Sequence, residues 1–258
     1  MLISKRGLLL LLMIVFLVGF STPIKKDRFF YEKRGEIVWE VPTEDKKIAL
    51  TFDDGPYPKT TEVILDLLRK YDAKATFFVL GNKVKLYPET IKREVAEGHE
   101  VANHTFNHVY FLKSISQATI RDEIVKTENA LEALTGKKPL LFRPPGGYYN
   151  ENSIQIAKTL GYKTILWSWH QDTNDWRSPG VNQIVKKVLN NARNGDIVLL
   201  HDYIPGSEQT VKALDTILYE LDKRGFEFVT VTELLKSMTS VESKVLDDGS
   251  DGSILEQP

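Results

Sequence analysis

Short apolar runs recur along the middle of the chain, and longer stretches between them repeat apolar positions every three or four residues. The runs at 48–53, 75–80, 100–103, 140–143, 164–167, 196–200 and 227–230 are rich in β-branched and aromatic residues and read as strands. The stretches at 60–71, 118–134, 181–191 and 210–223 read as amphipathic helices. In the first, Val63, Ile64, Leu67 and Leu68 share a face; in the second, Ile120, Ile124, Leu131 and Leu134 recur near helical spacing. Gly98, Gly136, Gly161, Gly195 and Gly225 stand where helices should stop. About seven such alternations imply a parallel sheet with helices outside. Closure into a distorted (β/α) barrel buries both faces of that sheet. Barrels carry their chemistry at the C-terminal ends of strands, so the residues just after each run are the ones to inspect.

Both ends of the chain break the alternation. Lys5 and Arg6 precede an unbroken apolar run over 8–20. Basic residues followed by such a run match a secretory signal peptide. A membrane span usually takes about 20 residues, so the run is short for one, and an uncleaved anchor is the second reading. The organisation expected is therefore 1–21 as signal peptide or N-terminal membrane anchor, 22–39 as linker and 40–238 as a single catalytic domain. Residues 239–258, rich in Ser, Gly and Asp, read as a disordered acidic tail. Either reading of the N-terminus puts the body outside the cytoplasm, secreted or anchored.

Composition narrows the chemistry. With 34 Lys and Arg against 35 Asp and Glu, the net charge is -1, which gives no electrostatic reason to bind nucleic acid. A hydrophobic content of 42% excludes a disordered chain, and 258 residues suit one large domain or at most two small ones. There is no Cys, which excludes disulfides, thiolate zinc sites and a cysteine nucleophile. A transition-metal site must then be built from carboxylates and the five histidines, His99, His104, His108, His170 and His201.

The strand ends supply candidates. After the first strand, Asp53 and Asp54 precede Gly55-Pro56. Neighbouring side chains of an extended chain point to opposite sides, so one carboxylate can hold a metal and the other a proton. A plain Asp-Gly-Pro turn is the alternative. After the third, His104 and His108 share a face if the segment is helical. Two imidazoles and a carboxylate make a three-ligand site with open positions. After the fourth, Arg143 is fixed by Pro144-Pro145-Gly146-Gly147, either to orient a carboxylate through a forked hydrogen bond or to make a surface ion pair. After the fifth, Trp167, Trp169 and Trp176 crowd a polar loop, as a sugar-stacking wall would; Trp167 reads as a plug of the barrel end. After the sixth, His201 suits proton transfer near neutral pH, or bonds loop backbone. His99, in a Gly-His turn, is expected to bond backbone, and His170 stands between lining the groove and a structural role.

Taken together, these blocks resemble the polysaccharide deacetylases of the NodB-homology type, carbohydrate esterase family four. The resemblance spans about residues 46–235 and includes TFDDGP, HTFNH, RPPGG, DTNDW and LLHD in order. It implies a metal-dependent hydrolase that removes N-acetyl groups from amino sugars of a cell-wall or extracellular polysaccharide, of peptidoglycan or chitin type, releasing acetate. It implies Asp53 as catalytic base, Asp54, His104 and His108 as metal ligands, and Arg143 as the group holding Asp53. His201 would be the acid, tuned by Asp175. Leu199 and Trp176 would wall the acetyl pocket, Pro144 would lie beside the substrate, and the Tyr57 N–H would meet the oxyanion. The metal implied is Zn2+, with Co2+, Ni2+ or Mn2+ able to substitute. The partner is a polysaccharide or oligosaccharide, the chain acts as a monomer, and any membrane contact runs through residues 8–20.

One position departs from the pattern. Many members carry Tyr where this chain has Gly146, which puts one wall of the sugar groove in doubt and leaves Tyr148 or Tyr149 to fill it. Three other functions compete. An O-acetyl xylan esterase would use the same site. A non-catalytic carbohydrate-binding module would need neither Asp53 nor His201. A metal phosphoesterase would want a second metal cluster, which the sequence does not display.

Overall fold

Lys47–Asp53, strand β2, is buried from Ile48 onward, as a strand in the middle of a parallel sheet must be. The computed structural model describes residues 27–204 and 208–238. The apolar run at 8–20 and the tail at 239–258 lie outside the described residues. The other strands are β1 (Ile37–Val38), β3 (Ala75–Val79), β4 (Glu100–Asn103), β5 (Leu141–Phe142), β6 (Lys163–Ile165), β7 (Ile197–His201) and β8 (Glu227–Phe228). All ladders are parallel, in the order β1-β6-β5-β4-β3-β2-β7, and β8 pairs with the first two residues of β2.

All seven strands expected from the pattern are present. The sheet curls into a distorted (β/α) barrel with helices around it. These helices are α1 (Arg28–Lys33), α2 (Pro58–Lys70), α3 (Gly81–Leu86), α4 (Pro88–Ala96), α5 (Gln117–Thr135), α6 (Glu151–Thr159), α7 (Val181–Leu189), α8 (Glu208–Lys223) and α9 (Val231–Lys236). None of the described helices is long and apolar enough to cross a membrane.

Alternation along the strands divides the core. Ile48, Leu50 and Phe52 of β2 join Phe77, Val198 and Leu200 in a cluster with Ile64, Leu68, Leu214 and Ile217 of the surrounding helices. Ala49 turns the other way and joins Phe78, Ala102, Ile165 and Ile197, with Val231 and Leu234 of α9 packed in. Thr51 and Asp53 share the phase of Ala49, so the strand delivers a carboxylate to the inside of the barrel.

The expected linker over 22–39 is corrected in its second half. Residues 28–39 belong to the fold: Tyr31 of α1, Ile37 of β1 and Trp39 just after it are buried against Ile154 and Leu166. β1 has only two residues, too few for a period to register in the sequence. This segment reaches the seam between the edges of the sheet. There Glu40 bridges Asp196, the Val41 N–H donates to Gly195 C=O (2.9 Å), and the Ser168 N–H donates to Ile197 C=O (3.0 Å). Gly195 has φ of 80°, and a Cβ there would overlap the Val41 carbonyl.

Candidate active site

At the end of β2, Asp53 stays in strand geometry and points into the barrel, while Asp54 takes a φ of 75°. This left-handed residue turns the second carboxylate toward the loop after β4. Asp53 is held by Arg143, which is wholly buried. One guanidinium nitrogen donates to Asp53 Oδ1 at 2.7 Å and to Thr51 Oγ1 at 2.8 Å; the others donate to the carbonyls of Ile165 and Leu166. The guanidinium also lies 3.9 Å from the Phe78 ring centroid. Burial lowers its pKa against the opposing pull of Asp53.

The segment from His104 to His108 is not the helix that would align its two imidazoles. It is a loop in which Thr105 and His108 have φ of 70° and 60°. The ring centroids nonetheless come within 5.3 Å. Backbone strain of this kind persists only where surrounding contacts enforce it. Here the enforcing group is Glu123 of α5, whose carboxylate accepts from the N–H groups of Phe106 and Asn107 and from the Asn107 side chain. Nothing in the sequence marks Glu123 beyond its place on a helix face that proves to be buried.

His104 and His108 present Nε2 to Asp54 Oδ1 at 3.4 and 3.1 Å. His104 Nδ1 lies 2.8 Å from the Arg143 carbonyl, which can only accept, so Nδ1 carries the proton and Nε2 is bare. Asp54 Oδ1 is buried without a hydrogen-bond partner. Burial pushes the Asp54 carboxyl up, but the two imidazoles outweigh it and hold it well below the usual range. One orphaned carboxylate oxygen facing two imidazole nitrogens, all within 4.8 Å of one another, fits a divalent cation.

A second group of possible ligands, Glu40, His170 and Asp196, was not apparent in the sequence. Its donors are already engaged. His170 Nε2 lies 2.9 Å from Asp196 Oδ1, Asp196 Oδ2 accepts from Gln171 and the Arg193 N–H, and Glu40 pairs with Arg28. It sits at the start of β7, at the opposite end of that strand from His201, and serves as a lock on the seam. His170 therefore does not line the groove. His99 Nδ1 accepts the Ala75 N–H, the backbone bond expected of it.

His201, at the end of β7, has Nδ1 2.7 Å from Asp175 Oδ1. Asp175 Oδ2 accepts from the His201 N–H and from Thr210, both at 2.8 Å. Burial alone would lower the imidazole pKa, but the Asp175 charge and hydrogen bond prevail and push it up to about 9.

Asp53, Asp54, His104, His108 and His201 line one cavity of about 560 Å³ with Leu199, Trp176 and Trp167. Trp167 also packs against the barrel interior, so it both plugs and lines. Two expected contacts are not among the lining residues. Pro144 is buried and does not face the cavity, and the Tyr57 N–H is donated to Thr61 Oγ1 at 2.8 Å at the start of α2. Thr61 in turn donates to Asp202, whose wholly buried carboxylate occupies the space that a side chain at Gly55 would need.

A curled parallel barrel with an Asp-His-His cluster, a base candidate and an acid candidate at its strand ends defines a hydrolase of carbohydrate-esterase type. The chain belongs to the polysaccharide deacetylase family, whose profile matches residues 40–165. It is 52% identical over 205 residues to a peptidoglycan-N-acetylglucosamine deacetylase of Bacillus cereus, covering 80% of this chain and 95% of that one. A Listeria monocytogenes protein of the same activity is 40% identical over 81% of this chain, which spans 43% of it. A crystal structure of a peptidoglycan N-acetylglucosamine deacetylase in complex with 4-naphthalen-1-yl-N-oxidanyl-benzamide superposes with a TM-score of 0.77 at 33% identity, covering 83% of this chain and all of that one. The chain is thus a deacetylase of carbohydrate esterase family four.

Proposed function

We propose that this deacetylase removes acetyl groups from N-acetylglucosamine residues of a peptidoglycan or chitin-type glycan, using a divalent cation, zinc in the first instance, held by Asp54, His104 and His108. The observation that carries this reading is the orphaned, buried Asp54 Oδ1 facing two imidazole nitrogens in the cavity that Asp53 and His201 also line. A cation bound there polarises the amide carbonyl and acidifies a water.

The protein's own groups do the rest. Arg143 occupies Asp53 Oδ1, which leaves Oδ2, 3.7 Å from His104 Nε2, to accept the proton of the attacking water. Asp175 occupies His201 Nδ1, so Nε2 is the nitrogen left to serve the cavity, and with a pKa near 9 it arrives protonated at neutral pH. Protonation of the departing nitrogen is what amide cleavage needs and ester cleavage needs less. This favours the N-deacetylase over the xylan esterase.

The lining carries Asp53, Asp54 and Asp172 and, among the described residues, no Lys or Arg. The lactyl carboxylate of a muramic acid would find no Lys or Arg there, and the one imidazolium of the lining, His201, is already paired with Asp175, which supports the neutral amino sugar. The names of the Bacillus cereus and Listeria relatives agree, whereas a Bacillus subtilis relative 39% identical over 79% of this chain is named a peptidoglycan-N-acetylmuramic acid deacetylase. The apolar run over 8–20 fits an enzyme whose substrate lies outside the cytoplasm, secreted or anchored there.

Acetate release by the full chain from peptidoglycan, chitin oligomers and acetylated xylan tests the reading. Activity should appear on the first two, disappear with chelator and return with zinc. His104→Ala should lose both metal and activity, whereas His170→Ala should keep its metal. No acetate from any N-acetylated glycan would sink the reading.

A further inference from the structure

Asp202 is wholly buried one residue beyond His201, yet it does not line the cavity. Successive residues of an extended chain point to opposite sides, so its carboxylate turns away from the space that His201 serves. The turn after β2 receives it. Gly55 makes the room, since a Cβ there would overlap both carboxylate oxygens. Oδ2 accepts the Thr61 hydroxyl, but Oδ1 is buried without a hydrogen-bond partner. Burial pushes the carboxyl up to about 7, against the Thr61 hydrogen bond and the Lys83 charge. A carboxylate so placed costs the fold stability, and what it holds is the turn that carries Asp54.

Both ends of that turn are tied to this one residue. The Asp202 N–H donates to the Asp53 carbonyl at 3.3 Å, one residue past the point where Asp53 and His201 pair in the β2–β7 ladder. The Asp202 carbonyl accepts the Thr60 hydroxyl, and Oδ2 accepts that of Thr61, both in the first turn of α2. Thr61 Oγ1 in turn accepts the Tyr57 N–H at 2.8 Å. The Leu80 N–H adds a further tie, to the Gly55 carbonyl at 3.0 Å. Between the bonds on residues 53 and 57 sits Asp54, with its φ of 75°. A left-handed conformation at such a residue persists where its surroundings enforce it. Here that conformation is what sends the Asp54 carboxylate toward His104 and His108.

We infer that Asp202 is a positioning residue for the metal: through Gly55, Thr60 and Thr61 it holds the Asp53–Tyr57 turn in the form that aims Asp54 at the two imidazoles. The same residue ties the ligand turn to the strand that delivers His201. The inference rests on Asp54, His104 and His108 holding the cation, and it adds a group that acts on the ligand from behind without facing the cation's cavity.

The test measures zinc affinity of the full chain by competition with a chelating dye, and reads ligand geometry from the visible bands of the cobalt-loaded protein. Asp202→Ala removes the carboxylate; Thr61→Val matches the threonine in shape but lacks the hydroxyl that links Asp202 to Tyr57. Each should weaken zinc binding by about 10–100-fold, as the loss of a group that orients a ligand does, and each should alter the cobalt spectrum. Asp202→Asn and Thr61→Ser keep an acceptor and a hydroxyl in the same places, so both should recover most of the affinity. Urea unfolding of the metal-free protein separates positioning from a purely structural role, which would lower the midpoint and leave the zinc affinity and cobalt spectrum of the folded protein unchanged. That result in Asp202→Ala and Thr61→Val would overturn the inference; if Asp202→Ala does not fold, Thr61→Val against Thr61→Ser decides it alone. A wild type that binds zinc no more tightly than His104→Ala would instead overturn the ligand set on which the inference rests.

Discussion

In the proposed mechanism two side-chain pairs divide the proton chemistry, and each makes a separable prediction. Asp175, with smaller contributions from the Asp53 and Asp54 charges, raises His201 to about 9 against its burial. An acid must be protonated to act, so kcat/KM should fall as pH rises through the His201 pKa. Positive charge from a bound cation moves that limb lower in wild type and variant alike. In Asp175→Asn the carboxylate charge is gone and the limb should shift to lower pH, toward the ordinary imidazole value. A pH profile measures the shift, and a limb that stays in place would remove Asp175 from this role. Arg143 is a different case, since its guanidinium is wholly enclosed with the Asp53 carboxylate. Removing one partner of a buried pair leaves the other charge uncompensated, at a cost of about 3–5 kcal/mol. Arg143→Met should lose stability on that scale in urea unfolding as well as activity. Arg143→Lys should recover little of either, because one ammonium cannot serve Asp53, Thr51 and two carbonyls in a forked arrangement.

The loop after β4, which carries the proposed ligands His104 and His108, depends on an element that touches neither imidazole. Glu123 on α5 collects two backbone N–H groups and an amide from the segment between His104 and His108. Groups that orient ligands typically govern metal affinity by about 10–100-fold. Glu123→Ala should weaken zinc binding by about that factor in competition with a chelating dye, with α5 itself retained. Equal affinity would mean that the loop holds its shape unaided. The histidine spacing was legible in the sequence, but the geometry that joins the rings was not, since left-handed residues at Thr105 and His108 leave no trace in a pattern of apolar positions. Strands β2, β3 and β7 were legible for the opposite reason: each is a dense apolar run bounded by turns, as a strand buried within a parallel sheet tends to be. Asp53 and Arg143 sit at the ends of such runs, so their meeting followed from the fold. Glu123 could not be found that way, because its role arises where a helix side chain meets the loop after a distant strand.

Across the whole molecule the least legible feature is the closure of the sheet. β1, with two residues, and the irregular backbone near Glu40 and Val41 bring the N-terminal segment to the start of β7. The His170–Asp196 pair and Gln171 lock the same region from the other side. Tyr31, Ile37, Val38 and Trp39 are buried there. Burying a large apolar side chain contributes about 1.5–3 kcal/mol, and a domain's whole margin is about 5–15 kcal/mol. A fragment of residues 42–238, which lacks these four and the seam bonds of Val41, should therefore lose most of its stability. A fragment of residues 27–238 should unfold in one cooperative step. Gly195→Ala probes the seam without removing any core: a left-handed φ and an overlap with the Val41 carbonyl should both work against it, lowering the urea midpoint of the longer fragment. Circular dichroism in urea reads all three. If the 42–238 fragment matched the longer one in midpoint and slope, the barrel would close without its N-terminal strand, and residues 28–39 would return to the status of a linker.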